Sequence, residues 1–325
     1  MRSLDDLFDA SRTGDREGAA RVLTRSPELA RVTGPHPIWG GEPTALHVAV
    51  ENGRADVAAL LLDAGADPNH PSDMYDGWSP LLIAAGRESR ELVELLRSHG
   101  AQIDAWEAAA LGDLARLSEI VDQHSSVVRE RRANQAPPLH FAATVDVARF
   151  LVAQGAALDA LDKYGATAAR SAAYGRRTRR PVARFLMDVS GESDAWLLAA
   201  LDDVDGLTLM AETGADILGA RRSGLNPASG IGETPLHTAA ALANLATVSF
   251  LIARGVDADV PSGPDGDRAL HYAAKRNARD VVDALLAAGA NPRLKDARHE
   301  ATPADWARFA GHFALATYLE DLEVT

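Results

Sequence analysis

The chain has 325 residues, of which 46% are hydrophobic, 24% charged and 5% aromatic, a composition that excludes the disordered and collagen-like classes. Its 33 Lys and Arg against 46 Asp and Glu leave a net charge of -13, which argues against general attraction to nucleic acid or to an anionic membrane surface. With 0 Cys, disulfides, thiolate metal sites and cysteine nucleophiles are excluded. The opening Met1-Arg2-Ser3-Leu4-Asp5-Asp6-Leu7 turns acidic before any apolar run, so no secretory signal is expected. No apolar stretch approaches the ~20 residues of a membrane helix, and a cytoplasmic protein is the expectation.

In chain order, Phe8 to Asp15 predicts the end of one helix, with a second over Ala19 to Leu23. Thr44-Ala45-Leu46-His47-Val48-Ala49 opens the next pair, whose second helix carries Val57, Leu60, Leu61 and Leu62 before the stop at Gly65. The same pattern returns at Ser79-Pro80-Leu81-Leu82-Ile83-Ala84, and Trp106 to Asp113 echoes the opening pair. Further copies are Pro137-Pro138-Leu139-His140-Phe141-Ala142, Thr234-Pro235-Leu236-His237-Thr238-Ala239 and Arg268-Ala269-Leu270-His271-Tyr272-Ala273. Weaker ones begin at Thr167 and Thr302, and Ala195 to Leu209 is degenerate. Leu46 precedes Leu81 by 35 residues, while Leu236 to Leu270 and Leu270 to Ala304 are 34 each. Thr or Ser before Pro supplies an N-cap and a first helical residue whose missing amide is no loss. The Gly about twenty residues on, as at Gly65, Gly100, Gly214, Gly255 and Gly289, suits a left-handed C-cap.

At these residues the sequence resembles the ankyrin repeat family, whose T-P-L-H-x-A signature and period of about 33 residues it matches. The resemblance implies an all-α solenoid of about ten helix-turn-helix units with short β-hairpin fingers, forming a single elongated domain over residues 1–325. Units are expected to begin near residues 3, 41, 76, 105, 134, 164, 194, 231, 265 and 298, with degenerate ones near 3–40, 105–133 and 194–218. Longer finger loops are expected near 33–43, 218–232 and 259–268. His47, His140, His237 and His271 share the fourth place of the signature, where the resemblance implies a structural hydrogen bond to the turn. No H-E-x-x-H, G-x-x-x-x-G-K-[ST] or G-x-S-x-G motif is present, and no metal or organic cofactor is signalled.

The resemblance further implies partners on a concave surface made by finger tips and the solvent-facing side of the first helix of each unit. Here those positions include Trp39, Glu51, Asn52, Tyr75, Asp76, Trp78 and Arg87, continued by Trp106 and Glu107 and by Lys163, Tyr164, Lys275 and Arg276. The bland reading is that Trp39 and Trp78 pack finger against finger. A rival reading makes the same groove a small-molecule site in which His36, His70, Asp73, Asp76 or Glu107 transfers a proton, as in an isomerase, hydratase or hydrolase. The stretch from Arg170 to Arg184 holds six Arg and no acid, and lengthens the turn between two helices. Arg176, Arg177, Arg179 and Arg180 are therefore candidates for an acidic partner, or simply a solvated edge. The leading expectation is a non-catalytic, monomeric scaffold that binds another protein.

Overall fold

In the computed structural model, which describes residues 2–36, 41–72, 75–219 and 233–324, every regular element among the described residues is helical. The chain divides into two compact units, Met1–Lys163 and Tyr164–Thr325. The first holds α1 (Arg2–Thr13), α2 (Arg16–Arg25), α3 (Ala45–Glu51), α4 (Ala55–Asp63), α5 (Pro80–Gly86), α6 (Arg90–Ser98), α7 (Ala105–Leu111), α8 (Leu114–Gln123) and α9 (Val145–Ala153). The second holds α10 (Ala168–Tyr174), α11 (Arg180–Ser190), α12 (Ala195–Leu201), α13 (Val204–Glu212), α14 (Pro235–Ala241), α15 (Leu245–Ala253), α16 (Ala269–Lys275), α17 (Arg279–Ala287), α18 (Pro303–Phe309) and α19 (Phe313–Val324). No helix among the described residues is long and apolar enough to cross a membrane.

Within each unit the helices stack in two rows. In the first, α1, α3, α5 and α7 pack one on the next, with α2, α4 and α6 behind them. In the second, α10, α12, α14, α16 and α18 form one row and α13, α15 and α17 the other. The repeat leucines fill the space between: Leu46, Leu61, Leu81, Leu96 and Leu236 are wholly buried. Burying each such side chain stabilises the stack by about 1.5–3 kcal/mol. Small residues in register, such as Ala49, Ala84, Ala239 and Ala273, are also inaccessible and let the first helices approach closely.

Local signals set the ends. Thr44 and Ser79 accept the amides of His47 and Leu82 as N-caps. After the second helix of a pair, Gly65, Gly100, Gly255 and Gly289 take φ near +90° (90, 87, 89 and 93), a region open to glycine at no steric cost. Connecting loops follow, and among the described residues isolated antiparallel bridges join Thr33 to Thr44 and Ser72 to Trp78. Of the long loops expected near 33–43 and 218–232, residues 37–40 and 220–232 lie outside the described residues. The one near 259–268 closes on itself through Ser262 N to Asp267 O at 2.7 Å and Gly266 N to Ser262 O at 2.9 Å.

One helix expected from the signature is shorter than the pattern implies. Pro138–Phe141 makes only a 3-10 turn. Leu139 precedes the first buried residue of the following helix, Val147, by eight positions, whereas Leu46 precedes Val57 by eleven. Nearly one helical turn is missing, and Thr144 already caps α9.

Three of the four signature histidines, His47, His237 and His271, hold their turns as the resemblance implies, whereas His140 Nδ1 accepts no turn amide at the shortened helix start. His47 Nδ1 lies 2.7 Å from Thr44 Oγ1, and the Thr234 and Arg268 amides donate to His237 Nδ1 and His271 Nδ1 at 3.1 Å each. At the opposite ring nitrogen, His237 meets Asp267 O at 3.3 Å and His271 meets Ala301 O at 3.1 Å, tying each turn to the next finger. An Nδ1 that accepts requires a neutral ring. Accordingly burial lowers His47 and His271 from the ordinary 6.5 to about 4, opposed only in part by backbone acceptors. The unfolded chain takes up these protons near pH 6.5 and the fold does so near 4, so stability is full above the first value and falls with pH between the two. Urea unfolding of the full chain should therefore give a lower midpoint at pH 5 than at pH 7. His271→Asn, which keeps an acceptor for the Arg268 amide, should reduce that difference; an unchanged difference would contradict the assignment.

Candidate functional site

The finger-side face of the first unit is organised around the carboxylate of Glu51, the last residue of α3. Tyr75 O–H donates to Glu51 Oε2 at 2.6 Å, and His36 Nε2 stands 3.0 Å from the same oxygen with its ring buried. The Tyr75 ring stacks on His47 at 5.7 Å between centroids and 10° between planes. Burial, followed by the hydrogen bond to Glu51, raises the Tyr75 phenol well above its usual value, so it stays a donor. Arg87 Nη1 donates to the Glu51 backbone carbonyl, where the end of α3 favours a cation. Asn52 turns its amide back onto Val48 O at 2.9 Å. Among the described residues no hydrogen bond reaches the second carboxylate oxygen of Glu51, whose side chain is 29% exposed.

Trp78 packs edge-on against Phe141 at 5.5 Å, and both it and Tyr75 rest on the apolar core of this unit. The aromatic rings therefore act as packing and orienting groups. Trp39 and Asp73 lie outside the described residues. Asp76, in the left-handed region at φ 58°, pairs with Lys163 across the fingers.

Trp106 and Glu107 belong to a second, inward cluster. Glu107 is buried, accepts from Ser79 Oγ at 2.8 Å, and receives Arg132 on both oxygens at 2.9 Å each. Arg132 also pairs with Asp104, which caps α7, and its guanidinium lies 4.8 Å over the Trp106 ring. Trp106 Nε1 donates to Ala136 O at 2.9 Å. Burial pushes the Glu107 carboxyl up and the neighbouring Asp104 adds to it, while Arg132 opposes both. For Asp104 desolvation works the same way, but its proximity to Glu107, the Trp106 amide and the charge of Arg132 hold it below the usual range. Asp104 and Arg132 were not among the residues expected from sequence; Arg132 sits in a basic run, Arg129-Glu130-Arg131-Arg132, that carries no repeat signal.

In the second unit the arginine-rich turn is largely engaged with the chain itself. Arg177 Nη2 donates to Ala243 O at 2.7 Å, at the end of α14, and Arg180 pairs with Asn244 Oδ1. Arg184 reaches Asp203 at 2.6 Å. Burial lowers the half-buried Arg179 to about 10, and Arg176 is exposed. The groove beside this turn, about 480 Å³, is lined by Asp202 and Asp280 as well as Arg177 and Arg279, so it offers no net positive field. Tyr164 is 46% exposed at the start of this unit. Lys275 and Arg276 end and cap α16, and the Lys275 ammonium lies 5.3 Å over the ring of Trp306, an aromatic that sequence reasoning had not placed in the site.

The family model described as ankyrin repeats (3 copies) matches residues 7–106 and 198–296, and the chain belongs to the ankyrin repeat family. It is 39% identical over 142 residues to zinc finger CCCH domain-containing protein 50 of Oryza sativa subsp. japonica, covering 39% of this chain and 20% of that protein. With the B-cell lymphoma 3 protein homolog of Mus musculus it shares 45% identity over 62 residues, covering 19% of this chain and 14% of that protein. With the nuclear factor NF-kappa-B p105 subunit of Mus musculus it shares 50% over 58 residues, 18% and 6% of the respective lengths. The chain thus spans 20% or less of the length of these relatives.

The inward cluster makes a clear demand. Arg132→Leu removes both hydrogen bonds to buried Glu107, whose carboxyl then takes up a proton, and should lower the unfolding free energy at pH 7 by about 1–3 kcal/mol, and adding Glu107→Leu should recover most of it. Guanidinium titration of the single and double variants measures both; a double variant no more stable than Arg132→Leu would contradict the pairing.

Proposed function

We propose that the chain is a non-catalytic scaffold that binds another protein along the concave face formed by its hairpin fingers and the exposed sides of its first helices. The reading counts ten units, five in Met1–Lys163 and five in Tyr164–Thr325, since the boundary between the compact units coincides with a repeat start. Membership of the ankyrin family supports a protein partner. The observation that carries the reading is Glu51. Its side chain is oriented by His36 and Tyr75 through one oxygen, leaving the other directed by that arrangement to an outside donor, with Arg87 fixed beside it. Such a group loses little freedom on binding, because folding has already ordered it. Asn52, Asp76 and Lys163 extend the contact zone on this unit, and Lys275 and Arg276 extend it on the other.

A charge-assisted hydrogen bond removed from an interface costs about 1.5–3 kcal/mol, which is about 10-fold to 100-fold in affinity. The partner retained by the immobilised full chain can be purified and its Kd measured by calorimetry against the wild-type protein, Glu51→Gln and Arg87→Glu. Each variant should bind at least about 10-fold more weakly while Tm moves by no more than a few degrees. Unchanged Kd in both would reject the reading.

A further inference from the structure

The most exposed large apolar side chain among the described residues is Phe309, at 73%. It stands at the end of α18, three residues after Trp306 and on the same helical face. Lys275 occupies the same register one repeat earlier, 34 residues before Phe309, on the neighbouring helix α16. Tyr272 and Trp306 correspond in the same way, and their rings meet edge-on at 5.7 Å and 72°.

This face is rigid. Tyr272 O–H lies 3.1 Å from both Glu233 Oε1 and Asp267 Oδ2, and Trp306 Nε1 donates to Asp296 Oδ2 at 2.9 Å. His312 Nε2 meets the Lys275 carbonyl at 3.1 Å, holding the last turn against the end of α16. Ordered aromatic groups of this kind make good interface anchors, because little rotamer freedom remains to be lost.

Its cations are not neutralised from within. No carboxylate pairs with Lys275 or Arg276 among the described residues, and the nearby acids on these elements have other partners. Asp305 serves Thr302, Glu320 pairs with Arg308, Asp283 with Arg279, Asp296 holds Trp306, and the two acids that face Tyr272, Glu233 and Asp267, meet its hydroxyl rather than Lys275 or Arg276. In a chain of net charge -13, two unpaired cations beside an exposed phenyl ring form a local surface of the opposite sign. Charge complementarity then selects the occupant.

We propose that the face built by Tyr272, Lys275, Arg276, Trp306 and Phe309 docks an acidic partner segment that carries an apolar side chain, the apolar group lying on Phe309 and Trp306 and its carboxylates on Lys275 and Arg276. The inference rests on the scaffold reading and names the chemistry of the partner at this unit. Displacement of the Lys275 ammonium from the Trp306 ring by a carboxylate is the local change that binding requires.

The test sorts a phage-displayed library of random 16-residue peptides on the full chain. Selected sequences should combine Asp or Glu with a neighbouring aromatic or aliphatic residue. Their affinity should fall at least about 10-fold in Phe309→Ser and in the Lys275→Glu/Arg276→Glu double variant, and should weaken as salt is raised, since exposed charge pairs are screened. A pool rich in Lys or Arg, or one whose binding survives both variants, overturns the inference while leaving the scaffold reading standing. Self-association of the full chain that disappears in Phe309→Ser also overturns it, because a second copy would then be the occupant. A sort that enriches no peptide on any face overturns both.

Discussion

A helix pair whose members run seven to nine residues, such as α3 with α4 or α16 with α17, cannot bury its own apolar side. Isolated helices of that length are marginal in water, so each pair persists only by covering the one before and the one after. The rest of the structure depends on this. Leu46, Leu81 and Leu270 recur because every pair must present the same apolar key to its neighbour, and Ala at the adjoining positions keeps the spacing short. Side chains on the open side of the first helices are thereby set out at regular intervals on a rigid support.

The same constraint explains where polar groups enter the interior. The start of each first helix leaves an amide without a partner, and His47, His237 and His271 satisfy it, the latter two also reaching the loop that follows. Asp305 takes the post in the last pair, donating nothing but accepting the Thr302 amide at 2.9 Å. Where the signature fails, as in the pair α7 and α8, an ionic cluster of buried Glu107, part-buried Arg132 and exposed Asp104 replaces the histidine. Such a cluster fixes register more than it adds stability, since desolvation offsets much of the attraction.

Much of this could be read from the sequence because it repeats. Periodic leucines, Thr-Pro starts and Gly stops are local signals copied in register, and each copy confirms the others. What was not legible is what occurs once. Arg132 joins Glu107 across 25 residues and Arg177 joins Ala243 across 66, separations that no periodicity announces. The shortened turn at Pro138–Phe141 was visible only as a deficit in spacing before Thr144. Tyr75 and Trp78 were recognised as aromatic, but whether a ring stacks on His47 or faces a partner depends on finger geometry. Trp306 carries no sequence signal of its own because the signature there, Thr302-Pro303-Ala304-Asp305, is weak, and its importance comes from Tyr272 in the preceding repeat.

The central claim is that the partner is read along the finger-side face of the first helices. Site-specific photo-crosslinking addresses it most directly, with benzoylphenylalanine placed in turn at Asn52, Arg87 and Arg276 on that face and at Glu94 and Asp283 on second helices. The account requires protein adducts from the first three positions and none from the last two. Adducts confined to Glu94 and Asp283 would put the partner on the opposite row of helices and contradict it.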